Sequence, residues 1–490
     1  QARNPALTGL MAENPKIAQL VAIAAKVEGF PRHASTHAAG VVITGEPLTD
    51  YLSLTVSNEG EVITQFPMED IEALGLLKMD FLGLRTLTVL RDTMALIEQN
   101  RGIKVELSKI PTDDPASFAG LRKGSTLGLF QLESGGIRRL LMRLKPENIS
   151  DLTALMALYR PGPLGSGMVD DFIKARHGQK TITYLHPLLE PILAETYGVI
   201  LYQEQVMKIV SAIGGFSLGE ADLVRRAMGK KKPEVLAAMR EQFTGGAIQR
   251  GVDRETATAI FDLIEYFAGY GFNKSHSAAY ALVVYQTAYF KFNYPGEYMA
   301  ALLTSVMANS DKIGLYIEEC RSALGLTILK PDVNRSVASF SPERDGIRFG
   351  LLGIKNVGGG AIEKIIAGRE SGPYRSLFDF CRRVSHQLVN RRVIESLIRA
   401  GAFDFTGAGR SRMLAGLGLI MEKTYQRSSN QDQLSLLDEF EEVMEPKLPD
   451  IEEFSHQEIL QQEKEYLGVY LSGHPLDEWR AKFLSNGLIA

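Results

Sequence analysis

Cysteine and tryptophan are the scarcest residues in this 490-residue sequence, with two and one copies. Cys320 and Cys381 stand far apart and lack a metal-type spacing, which argues against a disulfide framework or a thiolate zinc site and fits a reducing, cytoplasmic setting. Long apolar runs are missing too. The best candidate, "AAYALVVYQTAYF", is too short and too interrupted to span a bilayer, and no secretory signal is visible, so no membrane partner is expected. Repeats of solenoid length are absent. An initiator methionine is also lacking: the chain starts at Gln1 inside what reads as ongoing sequence, and the expectation is a fragment.

What is present is the composition of a folded globular protein, 45% hydrophobic and 23% charged, at a length that calls for several domains. The net charge of -4 conceals local extremes. "RRAMGKKK" at 225–232 carries five bases and no acid, whereas 438–465 holds eleven acids against Lys447 and Lys464. Local patches therefore say more about partners than the overall charge does. Along the chain, "GVVITG" and "LGLLKMDFL" read as strands and "TLTVLRDTMALIEQN" as a helix stopped at Arg101-Gly102. From about 115 to 330 the pattern is mainly helical. Turns around short strands follow at "PDVNRS" and "SPERDG", then a helical unit over 347–403, then a polar linker, "EKTYQRSSNQDQ".

The stretch "LGLLKMDFLGL", 74–84, places an aspartate inside an apolar run, where a buried carboxylate needs a partner, hydrogen bonds or a metal. Strand alternation puts Lys78 and Asp80 on one face and Leu77, Met79 and Phe81 on the other. The expectation is a strand packed on its apolar side and wet on its charged side. A structural salt bridge at a strand edge is the competing explanation.

In "DLVRRAMGKKK", Arg226 and Lys230 are helical neighbours, the arginine forks suit phosphate oxygens, and the run Lys230, Lys231, Lys232 before Pro233 suits a helix end near a polyanion. A solvated basic face is the alternative; five bases in the eight residues 225–232 without one acid favour phosphate contact. In "YGFNKSHSAAYALVVYQTAYFKFNYP", Asn273 or Ser275 can cap a helix running to Pro295. Lys274, Ser275 and His276 then lie at its amino-terminal end, where anions bind favourably, with Tyr280 stacked over His276. That arrangement suits a nucleotide. Tyr285, Tyr289, Phe290 and Phe292 are expected in the core.

"LLGIKNVGGGAIEKII", 351–366, reads as two short helical segments flanking a glycine hairpin. It resembles a helix-hairpin-helix, in which Asn356, Val357, Gly358, Gly359 and Gly360 would offer amides to DNA phosphates without reading sequence. Asn356 stands where Gly is usual, and Asn tolerates the left-handed conformation. A plain helical turn is the alternative. "QLSLLDEF", following the linker, can dock Gln433, Leu434, Leu436 and Leu437 into pockets on a partner, or simply begin an amphipathic helix.

The stretches "GFPRHASTHAAGVVI", "LLKMDFLGLRTL", "LFQLES", "LYRPGPL", "YGVILYQEQVM", "RRAMGKKK", "GFNKSHSAAYA" and "EKEYLGVYLSGHPL" extend from about residue 28 to 476. Together, and in this order, they resemble the C family of bacterial replicative DNA polymerases. The resemblance implies an α+β, mostly α-helical fold: part of a polymerase palm followed by large helical fingers with a helix-hairpin-helix. The implied layout is the end of the thumb at 1–35, a second palm segment with Asp80 at 36–90, and fingers at 91–340. A helix-hairpin-helix unit at 341–405, a linker with a clamp-binding-like peptide at 406–445, and an acidic segment at 446–490 leading to an OB-fold complete it.

The family holds two Mg²⁺ ions on three aspartates, of which Asp80 matches the third. The other two lie on an upstream Asp-x-Asp that this sequence does not contain before Asp80, so the chain alone is expected not to extend primers. The implied reaction is nucleotidyl transfer from a dNTP to a primer 3′-OH in chromosomal replication, by in-line displacement between two metal ions. Lys78, Arg225, Arg226, Lys274, Ser275 and His276 would serve the nucleotide and its phosphates, while Lys230, Lys231 and Lys232 would touch the DNA backbone. "QLSLL" is similar to the family's sliding-clamp peptide, with Leu437 where Phe is usual. Primer-template DNA, dNTP, the sliding clamp and other replicase subunits are the implied partners. An error-prone lesion-bypass branch of the same family and a non-catalytic DNA- or clamp-binding module are the other readings.

Overall fold

The computed structural model describes residues 5–30, 36–37, 39–57, 60–165, 167–230, 233–268, 271–429, 444–477 and 479. The chain divides into two compact units, Gln1–Leu84 and Arg85–Ala490. Helices dominate, with short strands in both units, so the mostly α-helical α+β class expected from the sequence is the one observed. No helix among the described residues is long and apolar enough to cross a membrane.

The first unit begins with helices Pro5–Glu13 and Pro15–Val27. The second has Pro at its first position and Asn14 as cap, whose side chain accepts the Lys16 amide (3.0 Å). Strands β1 (Gly40–Ile43), β2 (Leu54–Val56), β3 (Val62–Thr64) and β4 (Leu77–Asp80) follow. β1 pairs with β4 and β2 with β3, both antiparallel, and helix Met68–Ala73 leads from β3 to β4. In the first ladder Gly40 faces Asp80 and Val42 faces Lys78, while Val41 faces Met79 and Ile43 faces Leu77. Alternation thus separates the charged and apolar sets as the sequence predicts.

The apolar side is not packed as expected, while Asp80 on the charged side is 43% exposed. Leu77, Met79 and Phe81 are 57%, 42% and 62% exposed, whereas the Lys78 side chain is only 19% exposed. A two-stranded ladder buries a face only where another layer covers it, and the described residues of this unit leave the apolar side open. Leu52 and Ile71 are its buried hydrophobic residues among those described.

The second unit opens on helix Arg85–Arg101, which ends at Gly102 in the left-handed conformation (φ +67°) that suits a helix stop. At its centre, helix Lys274–Asn293 packs on Ile149–Leu158 and Pro115–Arg122. Tyr285 and Phe290 are fully buried there, and Tyr289 and Phe292 pack against the same core. The Tyr285 hydroxyl donates to Pro111 O (2.6 Å) and accepts the Asp114 amide (2.9 Å). Lys291 is buried too. Its ammonium donates to the carbonyls of Ser125 (3.1 Å) and Leu127 (2.8 Å) and to Glu319 (2.5 Å), the pairing a buried charge requires.

Helices Gln203–Gly214, Leu218–Lys230, Pro233–Gln249 and Arg254–Ala268 surround a separate apolar cluster that includes Val206, Ile209, Phe243 and Phe261. Strands β5 (Ile328–Leu329), β6 (Ser341–Glu343) and β7 (Gly346–Arg348) form a small mixed sheet with β7 in the middle. Helices Gly359–Gly368, Leu377–Arg383, Arg391–Arg399 and Arg410–Ser429 follow, and His456–Leu467 comes later in the chain. The first segment of the expected helix-hairpin-helix is a single 3₁₀ turn, Leu351–Gly353, rather than a helix. The Lys355 amide bonds to Tyr466 O (2.8 Å) in place of a helical partner, which ends the turn.

Candidate functional site

Two clusters of charged side chains are the candidate sites, one in each unit. In the first, the Lys78 ammonium lies 2.5 Å from Asp80 Oδ1 and His37 Nδ1 lies 3.7 Å from the same oxygen. The backbone N–H of Ala39 donates to His37 Nδ1 (3.2 Å). These side chains converge above Gly40: a Cβ there would stand 2.8 Å from Lys78 Cε, 3.0 Å from His37 Nδ1 and 3.1 Å from Asp80 Oδ1. The hydrogen bond from Lys78 holds the Asp80 carboxyl below the usual carboxylate range. The salt bridge weighed from the sequence is thus present.

No group of three or more His, Cys, Asp or Glu side chains among the described residues could hold a metal ion. Mg²⁺ is bound through one or two carboxylates, with substrate phosphates and water completing its shell. Asp80 fits as one hard oxygen ligand of that kind, provided Lys78 turns away.

In the second unit, sequence-distant motifs meet. The Gln203 amide donates to Phe272 O (2.9 Å) and the Phe272 amide to Leu201 O (3.1 Å), which ties "YQEQ" to "GFNKSHS". Gln205 is buried beneath this bridge. Its Oε1 accepts the amides of Leu201 (2.9 Å) and Tyr202 (3.0 Å), and its Nε2 donates to Thr196 Oγ1 (2.7 Å) and Ile192 O (3.2 Å). All the hydrogen-bonding capacity of this amide is engaged, so the loop is held rigidly.

On that frame, Asn273 caps helix Lys274–Asn293, its Oδ1 accepting the His276 amide (2.8 Å) as the sequence predicts. The anion-binding end expected there is already filled by the protein itself. The Lys274 amide donates to both oxygens of Glu204 (3.0 Å each), and its ammonium to both oxygens of Glu195 (2.9 and 2.7 Å). Orphan amides and an ammonium attract the nearest carboxylate, which local sequence does not reveal. His276 and Tyr280 stack with ring centroids 4.2 Å apart, and Phe272 meets His276 edge-on at 5.4 Å. The Arg160 guanidinium of "LYRPGPL" lies 4.2 Å from the Phe272 ring, and burial lowers its pKa.

Arg225 and Arg226 share one acid that lies just upstream of the basic run. Arg225 Nε donates to Asp222 Oδ1 (2.8 Å) and Arg226 Nε to Asp222 Oδ2 (2.7 Å), while Arg225 also reaches Gln203 (3.4 Å). These arginines hold the Asp222 carboxyl low. The "no acid" count was therefore too narrow by three residues along the helix. Ser275 follows Lys274 in the first turn. Lys230 closes helix Leu218–Lys230, but its side chain lies outside the described residues, as do Lys231 and Lys232. Gln433, Leu434, Leu436 and Leu437 lie outside them as well.

At the glycine hairpin, Asn356 adopts φ +68° as required, and its Nδ2 donates to Ser396 Oγ (3.0 Å). Val357 is buried, while Gly358, Gly359 and Gly360 are exposed at the start of helix Gly359–Gly368. A Cβ on Gly360 would stand 3.8 Å from Leu388, so the turn before helix Arg391–Arg399 adjoins the hairpin and brings exposed Arg391 and Arg392 with it. The sequence reading missed these arginines, and it missed Glu195, Glu204, Asp222 and His37. Nothing in a single sequence pairs the members of "LYQEQ" and "GFPRHASTHAAGVVI" with their partners.

Residues 1–83 match the model of the bacterial DNA polymerase III alpha NTPase domain and residues 86–251 that of the bacterial DNA polymerase III alpha subunit finger domain. Residues 325–413 match a helix-hairpin-helix motif. The chain belongs to the bacterial DNA polymerase III alpha family. It is 47% identical over 478 residues to the DNA polymerase III subunit alpha of Thermus aquaticus, covering 96% of the chain and 39% of that relative. The corresponding proteins of Bacillus subtilis and Escherichia coli K12 are each 44% identical, over 488 and 492 residues, covering 100% and 97% of the chain and 44% and 42% of the relatives. The chain thus spans about two fifths of the length of these relatives.

Proposed function

We propose that this chain serves DNA-directed DNA synthesis, as the part of a replicative polymerase that supplies one metal-binding carboxylate, most of the fingers and a helix-hairpin-helix. The observation carrying this reading is the meeting of "LYRPGPL", "YQEQ", "RRAMG" and "GFNKSHS" around Lys274 and His276, in a member of the DNA polymerase III alpha family.

Asp80 offers its oxygens to Mg²⁺, two ions of which, when bound, stabilise charge on the attacking 3′-oxygen and the departing pyrophosphate. Lys78 exchanges Asp80 for a phosphate oxygen beside it. Arg225, Arg226 and Lys274 receive the triphosphate of the incoming dNTP. The Arg225 guanidinium is held by Asp222, with Gln203 at 3.4 Å beside it, so its orientation is set before a phosphate arrives. Ser275 and His276 border the nucleotide, and the stacked pair His276 and Tyr280 gives it a flat surface. The 358–360 glycines, with Arg391 and Arg392, hold primer-template DNA by its backbone, as do Lys230, Lys231 and Lys232. The peptide at 433–437 binds the sliding clamp, other replicase subunits complete the assembly, and the reaction takes place in the cytoplasm.

The test is steady-state primer extension by the polymerase that carries this chain, with Lys274→Met and Arg225→Met variants. Each should raise the KM for dNTP about tenfold, the loss of one charged hydrogen-bond donor to a phosphate. A KM equal to wild type in both would remove the nucleotide from this cluster.

A further inference from the structure

Lys274, the cation offered above to the triphosphate, is chelated by Glu195, whose two oxygens lie 2.9 and 2.7 Å from its ammonium. Glu195 sits in the 3₁₀ turn Ala194–Thr196, which lies between helix Glu190–Leu193 and the buried Gln205 hub. The Thr196 hydroxyl donates to Val199 O (2.6 Å) and accepts from Gln205, so the turn that carries Glu195 is fixed in place. Both members of the ion pair remain partly exposed, 40% for Lys274 and 47% for Glu195, so an arriving anion can reach the ammonium without unfolding anything. The backbone amide of the same lysine is occupied separately by Glu204. The two carboxylates therefore divide the work: one seats the helix start through its amide, and the other claims only the side-chain charge.

We infer that Glu195 is a stand-in for the nucleotide's phosphate, holding the Lys274 ammonium in place and competing with the incoming triphosphate for it. The inference rests on the assignment of Lys274 to the dNTP phosphates. A carboxylate with two oxygens at hydrogen-bond distance satisfies the ammonium in the way a phosphate would, and its removal leaves the lysine poised but unclaimed. Glu195 thus acts as a positioning residue that sets nucleotide affinity. Its removal strengthens binding, the opposite of what loss of a substrate contact does.

The experiment is a double-mutant cycle in the full-length polymerase carrying this chain, with the KM and kcat for dNTP measured at fixed ionic strength. Glu195→Gln should lower KM about twofold to fivefold, the range of a partly exposed ion pair, and the effect should fall on KM more than on kcat. In a Lys274→Met background the same substitution should have no effect. An unchanged or raised KM for Glu195→Gln overturns the inference, provided Lys274→Met raises KM. An equal fall in KM in both backgrounds also overturns it, because the carboxylate would then be acting as diffuse negative charge. If Lys274→Met leaves KM unaltered, the phosphate assignment itself fails, and the inference fails with it.

Discussion

The Asp80 ladder and the Lys274 cluster neutralise their charges in the same way and are built in opposite ways. At the ladder, Lys78 grips Asp80 on a two-stranded sheet whose apolar side is open, in a unit with Leu52 and Ile71 as its buried hydrophobic residues among those described. At the cluster, Lys274 grips Glu195 on a frame tied by Gln205, Tyr202 and Phe272, beside a core of buried rings. The lesson is that a charged pair does not reveal how firmly it is held. Its supports do. A carboxylate on a thin ladder can move to a cation at little cost, whereas a cation on a rigid frame must meet its substrate where the frame puts it.

The sharpest way to break the comparison is at Asp80. Asp80→Asn keeps the volume and removes the anion, and incorporation by the full-length polymerase should fall about a thousandfold or more if a metal ligand has been lost. Primer-template affinity, read by fluorescence anisotropy, should barely change. Robust synthesis by that variant would return Asp80 to a purely structural role. Next in size is the frame beneath the cluster. Gln205→Leu strands the buried amides of Leu201 and Tyr202 and should cost about 2–4 kcal/mol of stability in chemical denaturation of the second unit. No substitution at the ladder should cost as much, and an effect below 1 kcal/mol, within the usual range of surface changes, would show that the frame is not rigid.

A smaller effect is expected at Gly40. Gly40→Ala pushes a Cβ against Lys78, His37 and Asp80, and incorporation should drop about tenfold with the fold intact, since small misplacements of reacting groups are costly. Lys78→Met should raise the Asp80 carboxyl pKa toward the ordinary carboxylate value, because the hydrogen bond that lowers it is gone. The sign follows from which form the lysine favours: it stabilises the charged carboxylate, so the shift is lost with the lysine, and carboxyl NMR titration reads it directly. The smallest effect belongs to Asn356. Asn356→Ala loses the Ser396 contact and strains a left-handed residue for about 1–2 kcal/mol, whereas Asn356→Gly should recover the backbone part. Equal losses in the two variants would mean that the hydrogen bond alone matters.

Much of this was legible in the residues. Asn273 as a cap, the stop at Gly102, the stacking of Tyr280 over His276, the shared face of Lys78 and Asp80, and the left-handed Asn356 all follow from rules acting within one turn or one strand. Such features need no distant partner, because periodicity and backbone sterics decide them locally. The mostly helical class was equally visible in spacing, and the family in an ordered series of motifs. Tertiary structure alone decided who neutralises whom. Glu204 finds the Lys274 amide across 70 positions, Glu195 finds its ammonium across 79, and Lys355 bonds to a carbonyl 111 residues away, cutting short a helix that local spacing favoured. Burial of the strand was decided in the same way, by whether a second layer exists to cover it. Sequence sets which side chains share a face; what a face meets depends on chain closure over long distances, where no local rule operates.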